Sequence, residues 1–179
     1  NSGFKNSISS PACLTDVVSV GATTYSDAVA KFSNSTAHLD FLAPGATREP
    51  IGRWKGILSS IPGGGFRRYE GTSMAAPHIS GAFAALKSAV PKATVSEMIE
   101  AIRETGRSVR DASNGLSHPR IRVRAAIKKL RRIAAVRRDD SAPKPRLERK
   151  QKAKPSPQPS QQPDNVDGIR IINDEKPLG

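Results

Sequence analysis

The chain has 179 residues, 36% of them apolar and 25% charged, with a net charge of +13. No stretch approaches the roughly 18 consecutive apolar residues of a membrane-spanning helix, which excludes one. Its single cysteine, Cys13, excludes an intrachain disulfide framework and a cysteine-rich zinc site, and His38, His78 and His118 are too far apart to form a local metal motif.

The positive excess is local. Residues 1–119 carry 12 Lys/Arg against 9 Asp/Glu, residues 120–154 carry 15 against 3, and residues 155–179 carry 2 against 4. The first two-thirds therefore has an ordinary charge balance, suited to a globular domain. From Asp139 onward seven prolines are interspersed with Gln, Ser and Lys, and few apolar side chains occur before Ile169, Ile171 and Ile172. Such a segment buries too little surface to offset its ordering entropy. The expected division is a domain over 1–138 and a disordered tail over 139–179. The chain opens at Asn1 with no basic-then-apolar leader and reads as an internal start.

In chain order, Val17 to Ala22 is a nearly continuous β-branched run, suited to a strand of a parallel sheet covered on both faces. Cys13 beside it reads as a small buried hydrophobe. Lys31 to Ser33 and Leu39 to Ala43 are shorter strand candidates, the second stopped by Pro44-Gly45. Ile57 to Ile61 is another, stopped by Pro62 and Gly63 to Gly65. Those glycines lack the Lys-Ser/Thr of a phosphate loop and read as a turn without a ligand. Phe66 to Glu70 reads as a strand or hairpin arm.

The period then changes. Residues 72–89 are small or apolar all round, which predicts a buried helix. Pro77 is tolerated only near a helix start, so the helix is expected to begin near Ser73. Thr94 and Glu97 form a capping box for a second helix, with Val95, Met98, Ile99 and Ile102 as its apolar stripe and Gly106 as its stop. A last helix is predicted from Val123 to Arg137, with Val123, Ala126, Ile127, Leu130 and Ala134 on one face and cations over most of the rest. Strands followed by helices indicate an α/β domain.

Ser73, at the start of a buried helix and preceded by Gly71-Thr72, has two readings. One is a helix N-cap. The other is a nucleophile, because a helix N-terminus supplies positive potential and free N–H groups where an oxyanion would form. The string from Gly71 to Gly81 closely resembles the nucleophile motif of subtilisin-like serine peptidases. Ser10 to Ala22, Phe32-Ser33-Asn34, Leu42 to Gly45 and Ser117 to Ile127 resemble further segments of that family in the same order, so the resemblance spans about residues 1–130. It implies a mostly parallel sheet between helices, here as the C-terminal part of the domain, and serine endopeptidase activity on protein or peptide substrates. It assigns Ser73 as nucleophile, in a motif supported by Gly71, Thr72 and Pro77, and Asn1, in Asn1-Ser2-Gly3, as oxyanion-hole donor.

The sequence departs from that family in one respect. The motifs Asp-[Ser/Thr]-Gly and His-Gly-Thr-His, which bring the orienting aspartate and the general base, are absent. His78 falls about 140° around the helix from Ser73 and matches a non-catalytic histidine of the family. His38 and His118 read as solvated loop residues, and Asp16, Asp27 and Asp40 as surface or loop carboxylates. The expectation is a fragment, inactive alone, of an active peptidase; the alternatives are a pseudo-peptidase scaffold, or a binder of nucleic acid or an anionic surface through the basic stretch. The resemblance brings no cofactor. Structural calcium occurs in the family, and no acidic cluster here marks a site for it. The family's members are commonly exported, and a lone cysteine is compatible with that. The basic stretch over 120–154 suggests an anionic surface as a further partner, and its lack of aromatic residues counts against specific nucleic-acid recognition.

Overall fold

The computed structural model describes residues 1–45 and 56–140, with side chains as far as Arg137. Nine elements follow in order: β1 (Val20–Thr23), β2 (Phe41–Pro44), β3 (Ile57–Ser60), β4 (Phe66–Tyr69), α1 (Thr72–Ala89), α2 (Val95–Thr105), β5 (Arg107–Arg110), β6 (Ser117–Arg120) and α3 (Val123–Asp140). α3 runs to Asp140, two residues beyond the boundary expected at 138; residues 141–179 lie outside the described residues.

The main sheet has the order β1-β2-β6-β5. β1 and β2 run parallel in register Val20↔Phe41 to Thr23↔Pro44, and β2 and β6 are also parallel through Leu42↔Arg120. β5 and β6 form an antiparallel arm with Val109 opposite His118. The sequence reading named neither β5 nor β6 as a strand: arginines mask the first, and Pro119 the second. β3 and β4 form a separate hairpin, Ile57↔Tyr69 to Ser60↔Phe66, turned by Gly63, Gly64 and Gly65 at φ of 82°, 92° and 85°. Lys31 to Ser33, expected as a strand, is a turn. It covers the outer edge of β1 with single contacts: Ala30 N–H donates to Ala22 O (2.9 Å) and the Ser33 hydroxyl accepts from Ala22 N–H (3.0 Å).

Alternation along the strands sends Ala22, Phe41 and Ala43 to one face and Leu42 to the other. On the first face they join Ala75, Ile79, Ala82 and Leu86 of α1, Met98, Ala101 and Ile102 of α2, and Ala126 and Leu130 of α3 in one core. All three helices therefore share this side of the sheet. The other face is covered by loop residues Ile8 and Val29 over Leu39, Leu42 and Val109.

Two helices differ from their sequence readings. α1 buries one stripe only, while Ala76, Pro77, Gly81 and Ala84 stay exposed. Small side chains cost little to leave in water, so an all-apolar composition here does not demand burial on every side. In α2 the capping box forms as expected, with Glu97 N–H donating to Thr94 Oγ1 and Thr94 N–H to Glu97 Oε2. Val95, however, is 61% exposed, and Ala101 takes its place in the core. Gly106 ends α2 without the left-handed turn, at φ −60°; it is glycine because a Cβ there would lie 2.6 Å from Pro119 Cβ.

Beneath the loop-covered face lies a polar cluster. Lys5 Nζ donates to Asp111 Oδ2 and to Ser33 O, both at 3.1 Å, and Asp111 Oδ1 accepts from Ser113 N–H at 2.8 Å. Ser35 Oγ and His118 Nε2 are hydrogen-bonded at 3.2 Å, and Asn114 Nδ2 donates to Ser35 O at 3.0 Å. His118 is thus a buried strand residue, not the solvated loop residue expected; its neighbour Pro119 sits on β6. Asp27, likewise read as a default loop carboxylate, accepts from Arg120 Nε (2.7 Å) and pairs with Arg107 (2.9 Å). Asp40 accepts from Ser19 N–H and Oγ–H. Cys13 is exposed, against the expectation of burial, because its segment loops over the surface before β1.

Burial pulls the His118 pKa below 6.5, opposed by a hydrogen bond with the Leu39 backbone and by the Asp111 charge. For Asp111, burial pushes upward, but the Ser113 amide, Lys5 and Ser35 outweigh it and hold the carboxyl below 3.8. In both cases the unfolded chain binds protons first. Each group therefore contributes stability that is complete above its unfolded value and is lost as pH falls through its folded value. Thermal unfolding should show Tm falling once pH drops below 6.5, and His118→Gln should flatten that first step; a Tm that rises on mild acidification contradicts the assignment.

Candidate active site

The start of α1 is fixed by a backbone crossing at the carboxyl end of β2. Gly71 N–H donates to Gly45 O at 3.2 Å. The approach needs glycine on both sides. A Cβ on Gly45 would stand 2.4 Å from Ala22 Cβ and 2.8 Å from Gly71 O, and Gly71 itself holds φ 147°, which L-residues rarely adopt. From that turn the chain enters the helix directly, Gly71 O accepting from Met74 N–H (3.0 Å) and Ala75 N–H (3.3 Å).

Gly71 is the N-cap, and no side chain caps the helix from that position. The N-cap reading of Ser73 is therefore set aside: Ser73 is the second helical residue, and it is exposed. The orphan N–H of Thr72 is satisfied from 71 residues away. Asn1 Oδ1 accepts from Thr72 N–H at 2.8 Å and from Thr72 Oγ1–H at 2.9 Å. With Oδ1 so committed, Nδ2 is the donating end of the Asn1 side chain at this turn.

Asn1 is not a frayed end. Asn34 Oδ1 accepts from Ser2 N–H (3.2 Å) and Phe4 N–H (3.0 Å), Gly3 N–H donates to Phe32 O (2.9 Å), and Lys5 is tied to Ser33 O and Asp111. The structure thus brings Asn1, Gly71, Thr72 and Ser73 together. Pro77 stands one turn further along α1, where it has no N–H to give the Ser73 carbonyl. Asn34, Gly45 and Lys5 support the site without having been singled out as doing so. Their signal lay in the Ser-Asn and Pro-Gly pairs of the resembling segments, but the roles require the fold.

The histidines and aspartates are elsewhere or engaged. His78 shares a depression of about 260 Å³ with Ser73, Met74, Pro77 and Ile57 to Ser59, yet its Nδ1 is hydrogen-bonded to Met74 O at 2.8 Å. His38 and Asp16 are exposed in loops, and His118, Asp27, Asp40 and Asp111 hold the partners given above. No aspartate–histidine pair joins Ser73 among the described residues. Nor does any group of three or more His, Cys, Asp or Glu among them stand ready to hold a metal ion.

The Subtilase family's sequence model matches residues 1–130, and the chain belongs to that family. An intracellular serine protease of Paenibacillus polymyxa is 42% identical over 77 residues, which is 43% of this chain and 21% of that protein. Subtilisin E of Bacillus subtilis is 34% identical over 105 residues, 59% of this chain and 25% of its own length. Among solved structures, a protease from Pseudoalteromonas arctica superposes with a TM-score of 0.59 at 29% identity, over 68% of this chain and 38% of that one. The patellamide maturation protease PatA gives 0.53 at 28%, over 68% and 45%. The chain thus spans about a quarter or less of the length of the two sequence relatives.

The Asn1–Thr72 contact has a direct consequence. Asn1→Ala removes the acceptor of the Thr72 amide, so hydrogen exchange at Thr72 should accelerate while the core of α1 is unchanged, with a stability loss of about 1 kcal/mol. Unaltered Thr72 exchange would show that the contact does not hold the turn.

Proposed function

We propose that this chain supplies the nucleophile and the oxyanion donors of a serine endopeptidase, and that the general base and its orienting aspartate come from residues outside the 179. The observation that carries the reading is the exposed Ser73 in the first turn of α1, beside an Asn1 amide whose oxygen is already bonded to Thr72. The names of the relatives support it: they are serine proteases and subtilisins.

In this reading Ser73 Oγ attacks the scissile carbonyl carbon as its proton passes to the supplied base. The negative charge on the carbonyl oxygen is met by Asn1 Nδ2–H and by the Ser73 backbone N–H, one of the donors that the start of a helix leaves free. The positive end of α1 adds to the same field. The C–N bond then breaks, the base returns the proton to the leaving amine, and water hydrolyses the Ser73 ester.

The full chain by itself should show no Ser73-dependent hydrolysis of casein. Joined to an upstream segment carrying the Asp-[Ser/Thr]-Gly and His-Gly-Thr-His motifs, it should hydrolyse casein, and Ser73→Ala should abolish turnover. In the joined protein Asn1→Ala should lower kcat by roughly a hundredfold or more, the magnitude that loss of the oxyanion asparagine has in subtilisin. Turnover by the chain alone that depends on Ser73 would place the base within these residues. Casein hydrolysis that survives Ser73→Ala would refute the nucleophile.

A further inference from the structure

α3 carries a second feature, unrelated to Ser73. Ala126 and Leu130 turn inward to the core, and the opposite side of the helix is cationic. At 100° per residue Arg131, Arg124, Lys128 and Arg132 fall within one arc of about 100°, directly away from the core. All four are exposed, and among the residues whose side chains are described none of them pairs with a carboxylate. The contrast within the same helix is sharp, since Lys129 pairs with Glu104 and Arg137 with Glu97. The four cations border a shallow depression that is lined also by Ala135 and, on the core side of the stripe, by the half-buried Val123 and Ile127.

Like charges aligned on one stripe repel one another and contribute nothing to the fold, so the arrangement is explained by what it faces. We propose that this stripe is a docking surface for an anionic lipid bilayer. Charge complementarity selects a polyanion, and two observations select the bilayer. The apolar strip of Val123 and Ile127 beside the cations suits a surface that offers acyl and glycerol carbon beside its phosphates, where the long Arg and Lys stems lie along apolar groups and their heads reach the charge. No aromatic residue occurs after Phe83, so the stripe has no platform for stacking nucleic-acid bases. The contact is peripheral: α3's larger apolar face is already used by the core, and no helix among the described residues is long and apolar enough to cross a membrane.

The test is co-sedimentation of the full chain with vesicles of phosphatidylcholine alone, with vesicles containing phosphatidylglycerol as well, and a parallel titration with duplex DNA. The chain should bind the phosphatidylglycerol vesicles, ignore the neutral ones and release with added salt. Replacing Arg124, Lys128, Arg131 and Arg132 by Glu should weaken binding at least tenfold, and the same four positions changed to Gln should fall between, with the helical circular dichroism of the parent in both. Unchanged binding in these variants would move any lipid contact to other residues and overturn the proposal. So would equal binding to neutral vesicles, or binding to duplex DNA tighter than to phosphatidylglycerol vesicles at the same salt. None of these outcomes depends on peptidase activity, so its failure and that of the Ser73 reading are separable.

Discussion

The hydrogen bond from Gly71 to Gly45 is the constraint on which the site depends. It joins the end of a buried parallel strand to the first residue before a helix, at a separation that no side chain on Gly45 would allow. Because Ala22 and Ala43 pair across β1 and β2, that strand end is fixed by the core, and the core thereby fixes where α1 begins. A helix starting there must present its first turn at the carboxyl edge of the strands, the edge that parallel α/β sheets use for ligands. Ser73 is exposed for this reason, and not because the helix is loosely held.

A second long-range contact completes the turn. The Asn1 carboxamide does the work of a missing cap: it takes the N–H and hydroxyl of Thr72, which Gly71 has no side chain to satisfy. Asn34, Phe32 and the Lys5–Asp111 pair hold the segment that delivers it. The anchoring of Asn1 Oδ1 also sets the direction of its Nδ2. The contact that holds the helix start therefore also orients the amide beside Ser73.

Much of this was legible in the sequence, for identifiable reasons. The Thr94–Glu97 box, the helical stripe of α3, the glycine turn after Ile61 and the string from Gly71 to Gly81 are local signals, and each is found where the sequence placed it. What failed was set by distant partners. β5 is recognisable only through its pairing with β6, His118 is buried only because Ser35 and Asn114 enclose that side of the sheet, and Asp27 is committed only because Arg107 and Arg120 reach it. Val95 and Cys13 were misjudged because apolar character does not say which side of an element the rest of the chain will cover. Of the site itself, Ser73 and Asn1 were readable by resemblance, whereas the closeness of Gly45 to Gly71 exists only in three dimensions.

The central claim is that this crossing presents the Ser73 hydroxyl for reaction. Its most direct test is the rate and position of fluorophosphonate labelling, mapped by mass spectrometry, in the chain joined to the segment that supplies the base. The account predicts a single adduct on Ser73, and at least tenfold slower labelling in Gly45→Ala when the folded state is retained. An adduct on another residue, or an undiminished rate in Gly45→Ala, would contradict it.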